Sequence, residues 1–522
     1  MAAAEDYKPG SVPLEEQDDR RLFCKFHYKG VLLVLIPILL GPILAGHPVL
    51  ACRFIYLTLC LYLIYILNLM ARGAIAFLYV VFIPIAGIAS SGKVSTSYYT
   101  DLLFLVFGAI FLGIMMDSSG LSERLAAWVI AIVGSSLKFL QIFLTLNVLW
   151  LAFLVNPTVA AAFWMKVSQA VITEYNNAGI VKMDSEEKPY EPGSKPYPTR
   201  PVIGIYLTCC YTASLAASFS PLMSPNGCIA DALSKSLSIG TLALAMIGPG
   251  ILGIAVMVFW FQFIFLGLLG GKVKRDLAEL EGNKAGFKQA MNNRKEAMGP
   301  WTIYPILVFI LILITFLLVA TRKPYIVPGW ADFNMKIESG SSVPTIGMAI
   351  LFFAIPANYF FCRYYVCRKP TKEGTANSLL GWKAVNANTP WADIFMLGAA
   401  FSLVFCARES GFVSFAGVNI EDHGDSMAFL YGTFAGTVMG NLAPSTTICR
   451  IILPKLNAGD IFRLAFSTAL HNQFLLPVST PSNTIISGWG NIRPFQFLIA
   501  GSVISIIMFF MIGAFTLLLI LN

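Results

Sequence analysis

Long apolar runs, separated by short polar segments, recur along the whole chain. Several approach the roughly 20 residues that a helix needs to cross a bilayer, and others are shorter. The apolar positions are consecutive rather than alternating, which favours helices over the strands of a membrane barrel. The pattern predicts an all-α polytopic membrane protein with about ten to twelve crossings, plus segments that only enter the bilayer. The runs are Val31–Leu44, Phe54–Met70, Ala74–Ile88, Leu102–Met116, Phe139–Val155, Val202–Leu222, Leu242–Leu269, Ile303–Ala320, Thr345–Phe361, Phe429–Val438, Ile461–Leu476 and Phe495–Leu521.

Composition agrees with this class. Of the 522 residues, 57% are hydrophobic and only 12% are charged, which is about half the charged share of a soluble globular protein. The formal net charge of +8 is interpreted as basic residues at the lipid surface. The bilayer is therefore an expected partner, and nucleic acid is not.

Basic residues beside the apolar runs predict the orientation of the chain. Residues 1–29 are polar and carry a basic cluster just before the first run, namely Arg20, Arg21, Lys25 and Lys29. The positive-inside rule therefore predicts a cytoplasmic N-terminal tail. A second basic segment, 271–300, is expected to be a cytoplasmic linker between two units, 30–270 and 301–522.

Four apolar runs are interrupted by proline and polar residues: "VNPTVAAA" (155–162), "SFSPLMSPNG" (218–227), "NLAPSTTIC" (441–449) and "LPVSTPSNTIISGWGNIR" (476–493). An unsatisfied backbone group in hydrocarbon costs several kcal/mol, so each break needs a reason. Each unit has a proline-containing tip followed by a Ser/Thr-Pro-Asn break. This repeated order is typical of secondary transporters that bind solute at broken helices. The alternative is that each break is a proline kink held by neighbouring helices.

The chemistry of the breaks suits a negatively charged solute. The N-terminal end of a half-helix presents unpaired N–H groups with partial positive charge. Ser, Thr and Asn side chains can complete the contacts without the desolvation cost of a buried ion. We therefore expect the breaks to converge on a small anion.

The longest break also resembles a known signature. "FLLPVSTPSNTIISGWGNIR" (474–493) is similar to the signature of the divalent anion/sodium symporter family (solute carrier family 13), most of all its insect "I'm not dead yet" branch. "TRKPYIVPGWADF" (321–333), "MAILFFAIPANYFFCRY" (348–364), "SLLGWKAVNANTPWADIFMLGAAFSL" (378–403) and "YPTR" (197–200) support the resemblance. Fainter similarity extends over nearly the whole chain.

The resemblance implies an inverted-repeat transporter with two re-entrant hairpins and two broken transmembrane helices. It implies a plasma-membrane homodimer that moves citrate, succinate, other dicarboxylates or sulfate by an elevator mechanism. Family members hold substrate and sodium with a Ser-Asn-Thr triplet at each hairpin tip and with the two breaks. On this basis the expected substrate-binding residues are Asn156, Thr158, Ser224, Pro225, Asn226, Ser445, Thr446, Thr480, Pro481 and Asn483. No cofactor other than sodium is implied.

Both tips depart from the family pattern, because Pro157 and Ser445 stand where the family has asparagine. In the family that asparagine serves both sodium and the substrate carboxylate. The change argues against sodium coupling, and any sodium ion is expected near Asn226 and Asn483.

Basic residues beyond the tips offer another source of positive charge. Lys166 follows the first tip and Arg450 follows the second, and a charge within a membrane segment is costly and usually functional. We hypothesise that Arg450 joins the substrate site and supplies the charge that sodium supplies elsewhere. The alternative is that Arg450 packs against a neighbour or reaches the membrane surface. Arg72, in "MARGAIAF", is expected at the membrane interface.

An enzyme is not expected, because the chain has neither H-E-x-x-H nor a G-x-S-x-G motif with a partnered histidine. His471, beside a break, is interpreted as a helix-face or pore residue. The stronger alternative is a homologue that no longer transports and acts as a ligand sensor, scaffold or partner, because loss of coupling would leave altered tips.

Overall fold

The computed structural model describes residues 19–187, 195–220, 229, 239–268, 294, 296–324, 327–333, 340–358, 366, 368, 377–413, 424–456 and 458–521. Over these ranges the ordered elements are helices, accompanied by two isolated β-bridges, Asp184–Pro198 and Pro356–Ser378. Continuous apolar sequence favours this outcome, because only a helix satisfies the backbone within one segment in lipid. The prediction of an all-α polytopic membrane protein is confirmed at this level.

The α-helices of the first part of the chain, in order, are α1 (Asp19–Leu40), α2 (Val49–Ile66), α3 (Arg72–Ile85), α4 (Ser91–Ser97), α5 (Asp101–Ser118), α6 (Leu121–Val133), α7 (Leu137–Leu154), α8 (Pro157–Asn177), α9 (Arg200–Phe219) and α10 (Ile239–Ile264). Those of the second part are α11 (Ile303–Ala320), α12 (Ser342–Ala354), α13 (Trp382–Asn388), α14 (Trp391–Glu409), α15 (Asp425–Leu442), α16 (Ser445–Ile451), α17 (Asp460–Ala469), α18 (Pro481–Gly490) and α19 (Pro494–Leu521). Short 3-10 turns cover Gly41–Ala45, Trp330–Phe333, Leu453–Lys455 and Pro477–Ser479.

Nine helical stretches in the described ranges are long and apolar enough to cross a membrane: α1 with its 3-10 extension, α2, α5, α7, α9, α10, α11, α14 and α19. Two shorter apolar helices, α3 and α12, accompany them. Among the nine, α9 is the most enclosed, with 94% of its most apolar window buried. It therefore faces other helices rather than lipid, which explains how it accommodates Thr208, Thr212 and Ser214.

Buried apolar side chains form two clusters. The larger is built mainly from α5 to α13 with α18 and α19. The smaller is built mainly from α1 to α4 with α15, α16 and α17. Helix α14 contributes to both, so the two clusters meet along it.

A row of glycines lets α15 approach α17 closely. Gly432, Gly436 and Gly440 are spaced four apart on one face of α15. A Cβ on Gly436 would lie 2.3 Å from the Phe466 carbonyl oxygen, and one on Gly440 would lie 2.9 Å from that of Leu470. Small residues at this spacing let helix backbones touch. The contact brings the end of α17 directly against α15.

We expect Gly436→Ala to lower the stability of the purified protein, because the new methyl group meets backbone that cannot move aside. Overpacking of this kind costs about 1–3 kcal/mol. The melting midpoint in detergent should fall measurably. Gly347→Ala, on α12, is the matched control, since a Cβ there meets no atom within 4 Å. Equal midpoints for the two variants would contradict the close packing of α15 on α17.

Candidate functional site

The first tip joins α7 to α8 through Val155 and Asn156. Asn156 has extended backbone angles and caps α8, its Oδ1 accepting a hydrogen bond from Thr158 N at 2.9 Å. Pro157 occupies the first helical position, where its missing N–H leaves nothing unsatisfied. The sequence Asn-Pro-Thr thus encodes a sharp helix start, and both Asn156 and Thr158 are buried.

The second tip joins α15 to α16 through Ala443 and Pro444, both with extended backbone angles. Just before it, Asn441 binds the chain beyond α17. Its Nδ2 donates to the Asn472 carbonyl at 2.8 Å, and its Oδ1 accepts from Leu475 N at 2.7 Å. The amide of Asn441 therefore holds the tip against the break that follows.

The predicted break near residue 480 separates α17 from α18. Helix α17 ends at Ala469, and the chain passes through residues 470–480, including one 3-10 turn, before α18 starts at Pro481. Thr480 caps α18, its Oγ1 accepting from Asn483 N at 3.0 Å. The apolar run predicted to extend to Leu476 thus loses its helical form seven residues earlier.

Side chains satisfy the backbone that this break exposes. Asn483 Nδ2 donates to the Gln473 carbonyl at 3.1 Å and to Ser479 Oγ at 3.0 Å. The Ser479 hydroxyl lies within hydrogen-bond distance of the carbonyls of Gln473 and Leu476 and donates its one hydrogen between them. The Thr484 hydroxyl is placed in the same way between the carbonyls of Pro477 and Thr480. The hydroxyl and amide side chains of "STPSNT" (479–484) therefore supply hydrogen bonds to backbone groups that have no helical partner in this apolar setting.

Both tips and this break line one cavity of about 220 Å³. A single water needs only roughly 10–15 Å³ on this measure, so the cavity has room for a small organic anion. Seven of the residues predicted to bind substrate line it: Asn156, Thr158, Ser445, Thr446, Arg450, Thr480 and Pro481. The structure thus brings together residues that are more than 300 positions apart in the sequence.

The cavity has more positive than negative side chains on its walls. Arg322 and Lys323, directly after α11, join Arg450. Asp101 is the one carboxylate residue among the described lining residues, and it accepts a hydrogen bond from Ser342 Oγ. Arg322 is 8% exposed, whereas Arg450 is an exposed residue. The excess of cationic groups favours a negatively charged ligand.

Arg322, Lys323 and Asp101 line the cavity although they are not among the binding residues expected from the sequence. Arg322 and Lys323 follow an 18-residue apolar helix, a position where basic residues ordinarily mark the membrane surface. For Arg322 and Lys323, the sequence feature that pointed to a functional role was their position in "TRKPYIVPGWADF" (321–333), a segment similar to the family.

Asn483 does not line the cavity. It is 0% exposed, and its Oδ1 is buried without a hydrogen-bond partner among the described residues. Carbonyl-type oxygen is the ligand that hard cations prefer, so Asn483 suits a sodium ion but supplies only one oxygen. The second predicted sodium ligand, Asn226, lies outside the described residues, as do Ser224 and Pro225.

Lys166 is engaged elsewhere. Its Nζ lies 2.7 Å from Asp117 Oδ2, at the end of α5, and 4.1 Å from the centre of the Trp489 ring on α18. The Lys166 side chain is 7% exposed. Its charge therefore stabilises the contact of α8 with α5 and α18, and Lys166 is not among the residues that line the cavity.

Arg72 is buried, in contrast to the interfacial position expected from its sequence. Its Nη1 lies 2.6 Å from Asp393 Oδ1 on α14, and the two side chains are 11% and 8% exposed. It also donates to Ser487 Oγ and to Asn491 Oδ1 at the end of α18. The partner carboxylate is 321 positions away, so no local pattern could indicate it.

Comparison with known proteins places the sequence of this chain in a family. The family model described as "Sodium:sulfate symporter transmembrane region" matches residues 25–520. "Protein I'm not dead yet" of Drosophila melanogaster is 27% identical over 519 residues, covering 93% of this chain and 88% of the relative. "Sodium-dependent high-affinity dicarboxylate transporter 3" of Caenorhabditis elegans is 23% identical over 516 residues, covering 95% and 88%. Human "Solute carrier family 13 member 1" is 21% identical over 500 residues, covering 81% and 83%.

The family match extends over nearly the full chain, and the resemblance carried by residues 474–493 is thereby confirmed. So is the expectation that the protein is not an enzyme. The chain is an integral membrane protein and belongs to a family of membrane transporters, the sodium:sulfate symporter family.

Proposed function

We propose that this protein is a secondary active transporter of small di- and tricarboxylates or related divalent anions. The observation that carries the proposal is the cavity, where two helix tips and one broken helix meet three cationic residues and one carboxylate. The relative from Caenorhabditis elegans is named as a dicarboxylate transporter. Asn156, Thr158, Ser445, Thr446, Thr480 and Pro481 would contact the anion, and Arg322, Lys323 and Arg450 would balance its charge.

We further propose that the two units form inverted repeats, each with one re-entrant hairpin and one broken helix. The helix–tip–helix order of α7 and α8 and that of α15 and α16 support this reading. Movement would be of the elevator type, with solute held at the tips. Assembly as a homodimer in the plasma membrane is part of the same proposal and rests on the family. A cytoplasmic N-terminus is proposed from the basic residues before the first apolar run.

We propose that transport does not require sodium. Pro157 and Ser445 cannot reproduce the amide that the family pattern has at each tip. A sodium ion near Asn483 Oδ1 would supply positive charge close to the anion, and in our proposal the cationic groups of the cavity supply it instead. The electrostatic requirement of a divalent anion is then met by the protein alone.

Uptake of radiolabelled citrate, succinate and sulfate into proteoliposomes tests these proposals. We expect saturable uptake of at least one anion, with equal initial rates in sodium and in choline buffer. Protein-free liposomes and an excess of unlabelled anion are the controls. Sodium-dependent uptake would contradict the coupling proposal alone. Anion binding without uptake would instead favour a ligand sensor, and absence of both would refute the proposed function.

A further inference from the structure

A second cavity, of about 590 Å³, is separate from the candidate site and has none of its described lining residues in common with it. It is surrounded by the start of α1, the end of α2 and the start of α19, together with the segment between α8 and α9. Small-molecule sites typically have volumes of about 300–1,000 Å³. The second cavity is therefore large enough to hold a ligand.

The second cavity lies where membrane-spanning segments begin and end. The apolar spans of α1 and α19 begin at His27 and Pro494, and that of α2 ends at Ile66. Tyr28, Ile66 and Phe495, at these three ends, all line the cavity. The ends of spanning helices lie at the membrane–water interface. The second cavity is therefore at the level of the lipid headgroups.

The rim of the second cavity is accessible from the lipid side. Tyr28, Leu67 and Phe495 line it and are 46%, 42% and 50% exposed. Of the nine spans in the described ranges, α1 is the least enclosed, with 6% of its most apolar window buried. A spanning helix with so little protein around it contacts lipid along its length. A molecule in the second cavity can therefore have an apolar part that follows α1.

Arg493 is held in a fixed position in the second cavity. Its backbone N donates to Gln496 Oε1 at 2.9 Å, and its Nη1 and Nη2 each donate to the Glu187 carboxylate at 2.7 Å. The guanidinium carbon lies 4.4 Å from the centre of the Tyr197 ring. Glu187 engages two of the five N–H donors that a guanidinium group carries. The Arg493 side chain is 29% exposed, so a ligand can reach it.

The charges of the second cavity favour an anion. Lys29, near the start of α1, lies within electrostatic range of both Arg493 and Glu187. The hydrogen bond from Arg493 lowers the pKa of Glu187, so this carboxylate is ionised at neutral pH. Two cations and one carboxylate among the described lining residues leave one positive charge in excess. A phosphodiester group carries one negative charge and forms strong charge-assisted hydrogen bonds with arginine.

We propose that the second cavity binds the phosphate-bearing headgroup of a phospholipid with a net negative charge, whose acyl chains extend along α1. A soluble phosphate compound offers the same headgroup chemistry. The position at the span ends and the exposed apolar rim favour the lipid, and basic residues at the membrane surface attract anionic headgroups. The inference does not depend on the proposed function, because the two cavities are separate.

Three matched ligands test the inference. Native mass spectrometry of the purified full-length protein, titrated with dioctanoyl phosphatidylglycerol, gives the dissociation constant of the first bound lipid. Dioctanoyl phosphatidylcholine keeps the chains and the phosphate but has no net charge, and glycerol 3-phosphate has no chains. We expect phosphatidylglycerol to bind roughly fivefold or more tightly than phosphatidylcholine, the effect of one basic residue on an anionic lipid. Glycerol 3-phosphate should not displace it.

Variants assign the binding to the second cavity. Lys29→Gln and Arg493→Gln should each weaken phosphatidylglycerol binding roughly fivefold, whereas Glu187→Gln should strengthen it by a similar factor, because the competing negative charge is removed. Arg493→Gln and Glu187→Gln break the same ion pair, so a purely structural role would move binding in the same direction in both. Lys93→Gln is the matched control for Lys29→Gln, since Lys93 is exposed, pairs with Glu409 and does not line the second cavity.

Monodispersity and melting midpoint identify any variant that fails to fold, and the remaining variants then decide. Equal affinity for the two lipids would show that net charge is not recognised, and the inference would be wrong. Displacement of the lipid by glycerol 3-phosphate would instead identify a soluble phosphate ligand. The inference also fails if Glu187→Gln weakens lipid binding, or if the folded lysine and arginine variants bind phosphatidylglycerol as the wild type does. None of these results depends on anion uptake, which tests the proposed function.

Discussion

Replacement of Arg72 by methionine is expected to destabilise the protein by about 3–5 kcal/mol, the cost of leaving one partner of a buried ion pair uncompensated. Asp393, 8% exposed, would be left buried without the guanidinium group that pairs with it. The hydrogen bonds from Arg72 to Ser487 and Asn491 would also be lost, and these connect α3 to the end of α18. The yield of monodisperse protein and its melting midpoint in detergent measure the loss.

The double variant Arg72→Met with Asp393→Leu removes both charges and is the decisive control. Replacing a buried pair by apolar side chains is often neutral or stabilising, so the double variant should melt well above the single one. Arg53→Met controls for loss of an arginine, because Arg53 is exposed and donates a hydrogen bond to the Ala86 carbonyl without pairing with a carboxylate among the described residues. A double variant no more stable than Arg72→Met would show that the ion pair is not the source of the effect.

The helices of this protein are largely predictable, because lipid leaves an apolar segment few alternatives. The run Ile303–Ala320 coincides with α11, and Phe139–Val155 differs from α7 by two residues at its start and one at its end. The first tip was predictable for a different reason. Asn156 and Pro157 are the residue types that cap and begin a helix, and their capping geometry is local.

The exact end of α17 was not predictable from the apolar run. Phe474, Leu475 and Leu476 continue the hydrophobic pattern, and hydropathy alone extends the helix to them. Beyond Ala469 the backbone is bound by other parts of the chain rather than by a further helical turn: Asn441, on α15, accepts a hydrogen bond from Leu475 N, and Asn483 donates one to the Gln473 carbonyl. A tertiary contact overrides local propensity here, which is common where a chain builds a site.

The positions of several basic residues were also not predictable from the sequence. From sequence, each arginine or lysine beside an apolar run is most simply assigned to the membrane surface. Arg72 instead pairs with Asp393, Lys166 pairs with Asp117, and Arg322 lines the cavity. These assignments depend on which helices pack together, and no local pattern carries that information.

Arg450→Gln is expected to weaken anion binding roughly ten- to a hundredfold, because a hydrogen bond to a charged group contributes about 1.5–3 kcal/mol. Arg450 lines the cavity just beyond the second tip and shares it with Arg322 and Lys323. The glutamine keeps hydrogen-bonding capacity but removes the charge. The dissociation constant for the best-bound anion, measured by displacement of labelled ligand from purified protein, gives the effect directly.

Two further variants decide whether charge in the cavity is the cause. Arg450→Lys keeps the charge but loses the planar two-nitrogen geometry, so binding should fall between wild type and Arg450→Gln. Lys455→Gln removes a positive charge five residues along the chain at an exposed position that does not line the cavity. Because exposed charges at a distance are screened by salt, Lys455→Gln should leave the dissociation constant unchanged. If Arg450→Gln binds anion as tightly as Lys455→Gln does, Arg450 does not contribute to anion binding. The proposal that cationic residues of the cavity replace sodium would then depend on Arg322 and Lys323.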